Sequence, residues 1–256
     1  MNRLQNLFAK KNNNLLSIYF TAGYPELNAT VDIAEALEKA GVDFLEVGFP
    51  YSDPVADGPT IQHSSEKALE NGMSLNVLFE QLKDLRKRVS IPILLMGYIN
   101  PIVQYGVERF CKKAAEVGVD GIIVPDLPIY EYEKLYSNYF KDNNLSNIFL
   151  VTPNTSEDRI RKIDGLSNSF IYLLSSSSIT GSNLQVSTNI EDYYKRIKAM
   201  QLNNPTIIGF GISNNSSYSK ACEYANGAIV GSAFVKHLAT YNYLETIPQF
   251  IKSIKP

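Results

Sequence analysis

Eight short runs of apolar, largely β-branched residues recur along the chain: "LLSIYF", "VDFLEVGF", "IPILLMGY", "VDGIIVPD", "NIFLVT", "SFIYLLS", "PTIIGF" and "NGAIVGS". Gly, Pro, Ser or Asp punctuates them. Continuous apolar text of that length fits strands buried on both faces, as in a parallel sheet. Segments with helical period lie between the runs. "TVDIAEALEKAG" sets Val31, Ile33, Ala34, Leu37 and Ala40 on one stripe and stops at Gly41. "GVERFCKKAAEVG" repeats the pattern and stops at Gly118. The phrases "KAGVDFLEVG", "EVGVDGIIVPD" and "EYANGAIVGS" read as three versions of one unit: helix end, Gly, buried strand.

Strand–helix alternation with internal similarity predicts βα units, and eight of them predict closure into an α/β (β/α)8 TIM barrel. The alternative, an open doubly wound sheet with a nucleotide site, lacks its marks. No G-x-G-x-x-G follows the first strand, and there is no Walker A motif. No Pro/Ser/Gly-rich linker divides the chain, so residues 1–256 are expected to form a single domain.

A formal net charge of −2, with no basic stripe interleaved with aromatics, argues against a nucleic-acid binder. Cys111 and Cys222 belong to no metal-spaced cluster and read as reduced, buried thiols. The first residues, "MNRLQNLFAKKNNN", carry no apolar targeting core, and no run reaches membrane-spanning length. A soluble cytoplasmic protein is the expectation.

In such a barrel the working residues come from the strand C-termini and the loops that follow. Glu46 stands inside the apolar run "FLEVGF", two residues before Gly48, and shares a face with Phe44 by strand alternation. If that face is the interior, burial raises its pKa and lets it carry a proton both ways near neutrality. Asp57 follows in "ADGPTIQ", where a helix begins. By itself it also fits an N-cap or Asx-turn aspartate, and Asp53 in "SDP" fits such a turn better still. At the other end of the chain, "GFGIS" closes the seventh strand and "VGSAFVKHL" turns the eighth into a helix. Loops after strands seven and eight commonly hold phosphate, and the bare backbone of Gly211, Gly231 and Ser232, with the helix that follows, suits an anion. Lys236 is the cation nearest to them in the sequence.

With those residues identified, the chain resembles the tryptophan synthase alpha subunit over nearly its whole length. The resemblance is most specific in "LEVGFPYSDPVADGPTIQ" and is supported by "YFTAGYP", "GYINPI", "VPDLP", "YLLSSSSITG", "GFGIS" and "VGSA". It implies tryptophan synthase, classed as a carbon–oxygen lyase, with this chain's half-reaction the retro-aldol cleavage of a carbon–carbon bond in indole-3-glycerol phosphate to give indole and glyceraldehyde 3-phosphate, and with no metal or organic cofactor in this chain. It further implies that Glu46 shuttles the proton and that Asp57 stabilises the ring when it becomes cationic. Tyr172 is then expected beside the reacting glycerol, Thr180 in support of the Asp57 loop, and Gly181, Gly211, Gly231 and Ser232 at the phosphate. Tyr19, Met96 and Ile123 fall where the family lines its indole slot, and ordinary barrel core explains each of them equally well. The expected partner is a beta subunit carrying pyridoxal phosphate, in an alpha2-beta2 heterotetramer. Asp53, Asn100, Pro101 and Asp126 match the partner-facing loops, though each also reads as a surface turn.

Two positions depart from the family pattern. Tyr24 stands where many relatives have an acid, and Ser176 stands where they have an arginine, which bears on closure of the loop around Ser178 and on signalling to the partner. A different sugar-phosphate reaction on the same barrel would call for a polar lining at Tyr19, Met96 and Ile123. A barrel kept only to cap a partner would not need Glu46 and Asp57.

Overall fold

The computed structural model describes residues 1–174 and 186–256, without the side chains of 186–189. Its centre is a closed parallel barrel in sequential strand order: β1 (Leu15–Thr21), β2 (Phe44–Gly48), β3 (Ile93–Met96), β4 (Gly121–Ile123), β5 (Ser146–Val151), β6 (Ile171–Leu174), β7 (Thr206–Gly209) and β8 (Gly227–Val230). Closure is direct, because β1 pairs in parallel with both β2 and β8. Each strand coincides with one of the eight apolar runs, β1 and β5 reaching one residue beyond it. The largely apolar spelling follows from the architecture: one face of each strand looks into the barrel, the other is covered by helices, and little of either meets water.

The helices bury the stripes their periodicity announces. The helix Thr30–Lys39 turns Ile33, Ala34 and Leu37 onto the barrel, and Gly41 then takes φ +90°, a conformation that L side chains rarely adopt. The helix Pro59–Glu70 opens with Pro59 in its first turn, where a missing N–H costs nothing, and buries Ile61, Ser64, Ser65 and Ala68. Among the described residues no helix is long and apolar enough to cross a membrane. Cys111 is buried and Cys222 is only half-buried, so the expectation of two buried thiols holds for the first alone.

Register fixes which side chains share the interior. Tyr19 pairs with Glu46, Gly48 with Met96, and Met96 with Ile123, and partners in parallel register point the same way. Leu150 pairs with Tyr172, which brings the sixth strand's tyrosine to the same face.

The N-terminal end of the barrel is closed by the helix Arg3–Lys10, whose Phe8 packs on Phe44 and Phe170 with ring centroids 6.2 and 5.4 Å away. Phe44 and Phe170 are fully buried, worth roughly 1.5–3 kcal/mol each by transfer. Asn2 anchors this helix by donating to the Asp120 and Asn144 carbonyls at 2.8 and 3.1 Å and to Ser146 Oγ at 3.1 Å. The buried Asp120 carboxylate takes Arg86 at 2.7 Å and Arg3 at 3.2 Å, so its charge is paired on both oxygens. That end of the barrel is devoted to stability and leaves the other rim free for chemistry.

Candidate active site

The C-terminal rim holds a cavity of about 430 Å3 lined by Tyr19, Asp57, Ile61, Met96, Tyr172, Phe210, Gly211, Ile212, Ser213, Ile229, Gly231, Ser232, Ala233 and Lys236. A wider groove of about 810 Å3 runs on the outer wall along the helix Val107–Glu116. Its Lys112 and Lys113 are taken up by Glu108 at 2.7 Å and Glu116 at 2.6 Å, a solvated helix face. The rim cavity is the one on which an acid, two phenols and bare glycine backbone converge.

Glu46 is fully buried, and neither carboxylate oxygen has a hydrogen-bond partner among the described residues. Burial without a partner favours the neutral form and pushes its pKa up to about 8. An unpaired acid in a barrel core is costly, so its presence argues for use. Glu46 does not itself line the cavity. Tyr19 and Tyr172 do, and both phenols are held well above their ordinary pKa, first by burial and then by the neighbouring carboxyls: Asp57 ahead of Glu46 for Tyr19, and Glu46 ahead of Asp57 for Tyr172.

Asp57 sits in the irregular stretch between β2 and the helix Pro59–Glu70. Asp57 N–H donates to the Pro54 carbonyl at 3.1 Å, and Gln62 Nε2 donates to the Asp57 carbonyl at 2.9 Å. Its carboxylate accepts from the Tyr98 hydroxyl at 3.1 Å. Burial raises Asp57 to about 6, and the Tyr98 hydrogen bond pulls the other way. Two acids on one barrel mouth thus have opposed surroundings, one unpartnered and apolar, the other hydrogen-bonded at the cavity wall.

Two glycines make room for the phenols. A methyl carbon placed on Gly48 would lie 2.7 Å from Tyr19 Cζ, and one on Gly209 would lie 2.5 Å from Tyr172 Cε1 and Cζ. Opposite Asp57, Phe210 and Gly211 take φ of +69° and +74°. For Phe210 this is a strained conformation, of the kind found at ligand sites. A methyl at Gly231 would meet Tyr19 and Ile61 only at ordinary contact distances of 3.7–4.0 Å. Packing therefore does not require that glycine, which is consistent with a backbone kept bare for a ligand.

Of the residues expected from sequence, Tyr19, Met96, Asp57, Tyr172, Gly211, Gly231 and Ser232 share this cavity. Ile123 is fully buried and, like Glu46, does not line it. Thr180 and Gly181, with Ser176 and Ser178, lie outside the described residues. Tyr24 is buried, at 7 % exposure. On the rim, Asp53 accepts from Ser52 Oγ at 2.6 Å, Asn100 Nδ2 donates to the Tyr51 hydroxyl at 3.0 Å, and Asp126 accepts the Ile99 N–H at 2.9 Å. Pro101 lies in the same helix as Asn100, Ile99–Tyr105. Phe210, Ile61, Ile229 and Tyr98 were not read from sequence. Phe210 and Tyr98 lie inside the "GFGIS" and "GYINPI" phrases, which mark the loop but not the part each residue plays in it. Among the described residues, no three of His, Cys, Asp and Glu cluster to hold a metal ion.

The sequence profile described as Tryptophan synthase alpha chain matches residues 4–251. The chain is 54% identical over 254 residues to the tryptophan synthase alpha chain of Flavobacterium psychrophilum, covering 99% of this chain and 100% of that one. To that of Christiangramia forsetii it is 53% identical over 255 residues, covering 100% and 99%. Among solved structures, tryptophan synthase subunit alpha from Legionella pneumophila superposes with a TM-score of 0.88 at 33% identity, covering 99% of this chain and 97% of that one. A chain of tryptophan synthase from M. tuberculosis in an aminoacrylate-bound form superposes at 0.86 with 30% identity, covering 99% and 98%. Profile, relatives and solved folds agree from one end of the barrel to the other, and the chain belongs to the tryptophan synthase alpha chain family, lyases of tryptophan biosynthesis.

Proposed function

We propose that Glu46 and Asp57 divide the work of the family's lyase reaction, the retro-aldol cleavage of indole-3-glycerol phosphate to indole and glyceraldehyde 3-phosphate. The phosphate sits against the backbone of Gly211, Gly231 and Ser232, and the indole ring lies in the slot beside Tyr19 and Met96. Glu46, protonated at neutral pH by its burial, delivers its proton to indole C3. C3 becomes tetrahedral, and the ring nitrogen takes up positive charge. The Asp57 carboxylate accepts the ring N–H and stabilises that cation. The bond from C3 to the glycerol chain then breaks, its electron pair restores the aromatic ring, and the Glu46 carboxylate removes the hydroxyl proton as the aldehyde forms. Tyr172, beside Glu46, orients the glycerol.

The observation that carries this reading is the contrast between the two acids. One must gain and lose a proton and is buried without a partner. The other must stay charged and receives a hydrogen bond. Thr180 is proposed to support the Asp57 loop and Gly181 to join the phosphate site.

Alpha chains of this family pair with a beta subunit. We place that partner on the rim formed by Asp53, Asn100, Pro101 and Asp126, in an alpha2-beta2 assembly in the cytoplasm. In this scheme the pyridoxal phosphate belongs to the beta subunit, and this chain, one domain over 1–256, works without a cofactor. The deciding experiment is an assay of the purified chain on indole-3-glycerol phosphate, alone and with a beta subunit. Release or transfer of indole that vanishes in Glu46→Gln and falls steeply in Asp57→Asn supports the division of labour. Wild-type turnover in either variant refutes it.

A further inference from the structure

Asp57 belongs to a stretch without regular structure, and its own turn fixes its backbone but not its carboxylate. The hydrogen bond that reaches the carboxylate comes from the exit of the neighbouring strand, β3. Tyr98 ends the exit from β3 and forms the N-cap position of the helix Ile99–Tyr105. It is 5 % exposed, and its hydroxyl makes two contacts with the loop after β2: it accepts the Ala56 N–H at 2.9 Å and donates to Asp57 Oδ2 at 3.1 Å.

We propose that Tyr98 is a positioning residue for Asp57, one phenol that fixes both the backbone and the carboxylate of the loop carrying the charged acid. The hydroxyl has one proton and gives it to the carboxylate, so the Ala56 N–H must come to its lone pair. This sets the direction of both bonds. With Oδ2 occupied, Oδ1 is the oxygen available to a donor in the cavity. The phenol is itself held on several sides. Its ring packs on Tyr51 with centroids 5.3 Å apart, and Tyr51 receives the Asn100 amide. The next residue, Ile99, is tied through its N–H to Asp126. Gly97 leaves space for the Phe49 ring, whose Cδ2 would lie 2.5 Å from a methyl carbon there.

The hydrogen bond also acts on charge. Burial favours protonated Asp57, and donation from Tyr98 favours the carboxylate. The other titratable groups around Asp57 are Tyr19 from β1, Glu46 from β2, Tyr172 from β6 and Lys236 from the helix after β8, with Asp126 behind Tyr98. Among the described residues, Tyr98 is the one for which a hydrogen bond to the carboxylate is seen.

This inference rests on the role proposed for Asp57, and the test separates the two. Cleavage of indole-3-glycerol phosphate is measured from about pH 5 to about pH 9 for wild type, Tyr98→Phe, Asp57→Asn and the double variant. Phenylalanine keeps the ring against Tyr51, so the fold is retained and an unchanged thermal midpoint verifies it. The expected result is a roughly tenfold loss of kcat/KM in Tyr98→Phe, the size of one hydrogen bond to a charged group. Its acid limb should move to higher pH, and Tyr98→Phe should add no further loss to Asp57→Asn. A wild-type rate and acid limb in Tyr98→Phe, with Asp57→Asn still crippled, overturns the positioning role alone. So does an equal loss from Tyr98→Phe in both backgrounds. Wild-type turnover in Asp57→Asn overturns the role of Asp57, and this inference with it.

Discussion

Tyr172 occupies the space that a side chain on Gly209 would need. A methyl carbon there would collide with the phenol hydroxyl and lie 2.5 Å from Cε1 and Cζ. The ring is buried, with the cavity as its one yielding side. Gly209→Ala is expected to destabilise the fold by roughly 1–3 kcal/mol through overpacking. It should also push Tyr172 off the cavity wall and lower turnover by more than about tenfold, a barrier change of about 1.4 kcal/mol. Denaturant unfolding and the cleavage assay measure the two effects, and a variant with wild-type turnover would show that the ring's position is not needed.

Glu46→Gln keeps the shape of the side chain and removes the proton that is exchanged. Indole-3-glycerol phosphate cleavage is expected to fall by at least about a thousandfold, in the upper range for loss of a general acid–base. Binding of glyceraldehyde 3-phosphate should be unchanged, because the glycine backbone proposed to hold the phosphate follows β7 and β8 and not β2. Calorimetric titration beside the rate assay reads both, and retained turnover contradicts the shuttle.

The two acids predict the pH–rate profile. Asp57 must be ionised, so kcat/KM rises with pH through about 6 as it loses its proton. Glu46 must begin protonated, so kcat/KM falls again as pH passes about 8. The profile is a bell with its top between those values, visible in initial rates at low substrate. Continued activity well above the upper value would exclude Glu46 as the first proton donor.

Stability should report the same buried acid. Glu46 has its folded pKa raised from 4.5 to about 8. Its contribution is full below 4.5, where both states are protonated, and is lost as pH rises through the folded value, because the unfolded chain ionises first. The stability of wild type relative to Glu46→Gln is expected to fall by roughly 3–5 kcal/mol across that window. Asp57 shifts in the same direction but is common to both proteins and cancels. Urea unfolding at acidic and alkaline pH tests this, and a flat difference would mean that Glu46 is charged in the folded protein.

Much of this was legible because the barrel imposes strong local spelling. Strands buried on both faces leave continuous apolar text, and a carboxylate inside that text is conspicuous. Glu46 was found in this way. Depth was not legible. Alternation tells which face a residue takes but not how far along the barrel it sits, so Ile123 reads equally as slot lining or barrel core, and the structure sets it off the cavity. Tyr98 was missed for a different reason. Its partner Asp57 is 41 residues away in sequence, and nothing in "GYINP" distinguishes a tyrosine that aims an acid from one that packs a turn. The floor helix Arg3–Lys10 was also unread, because Asn2 acts through carbonyls just ahead of distant strands, and a carbonyl carries no side-chain signature.

Phe8, Phe44 and Phe170 have a consequence for traffic. With three rings stoppering the far end, the described part of the chamber opens on the C-terminal rim, which serves as its doorway. A protein seated over that doorway would decide what gets in, and would be first to meet anything that leaves.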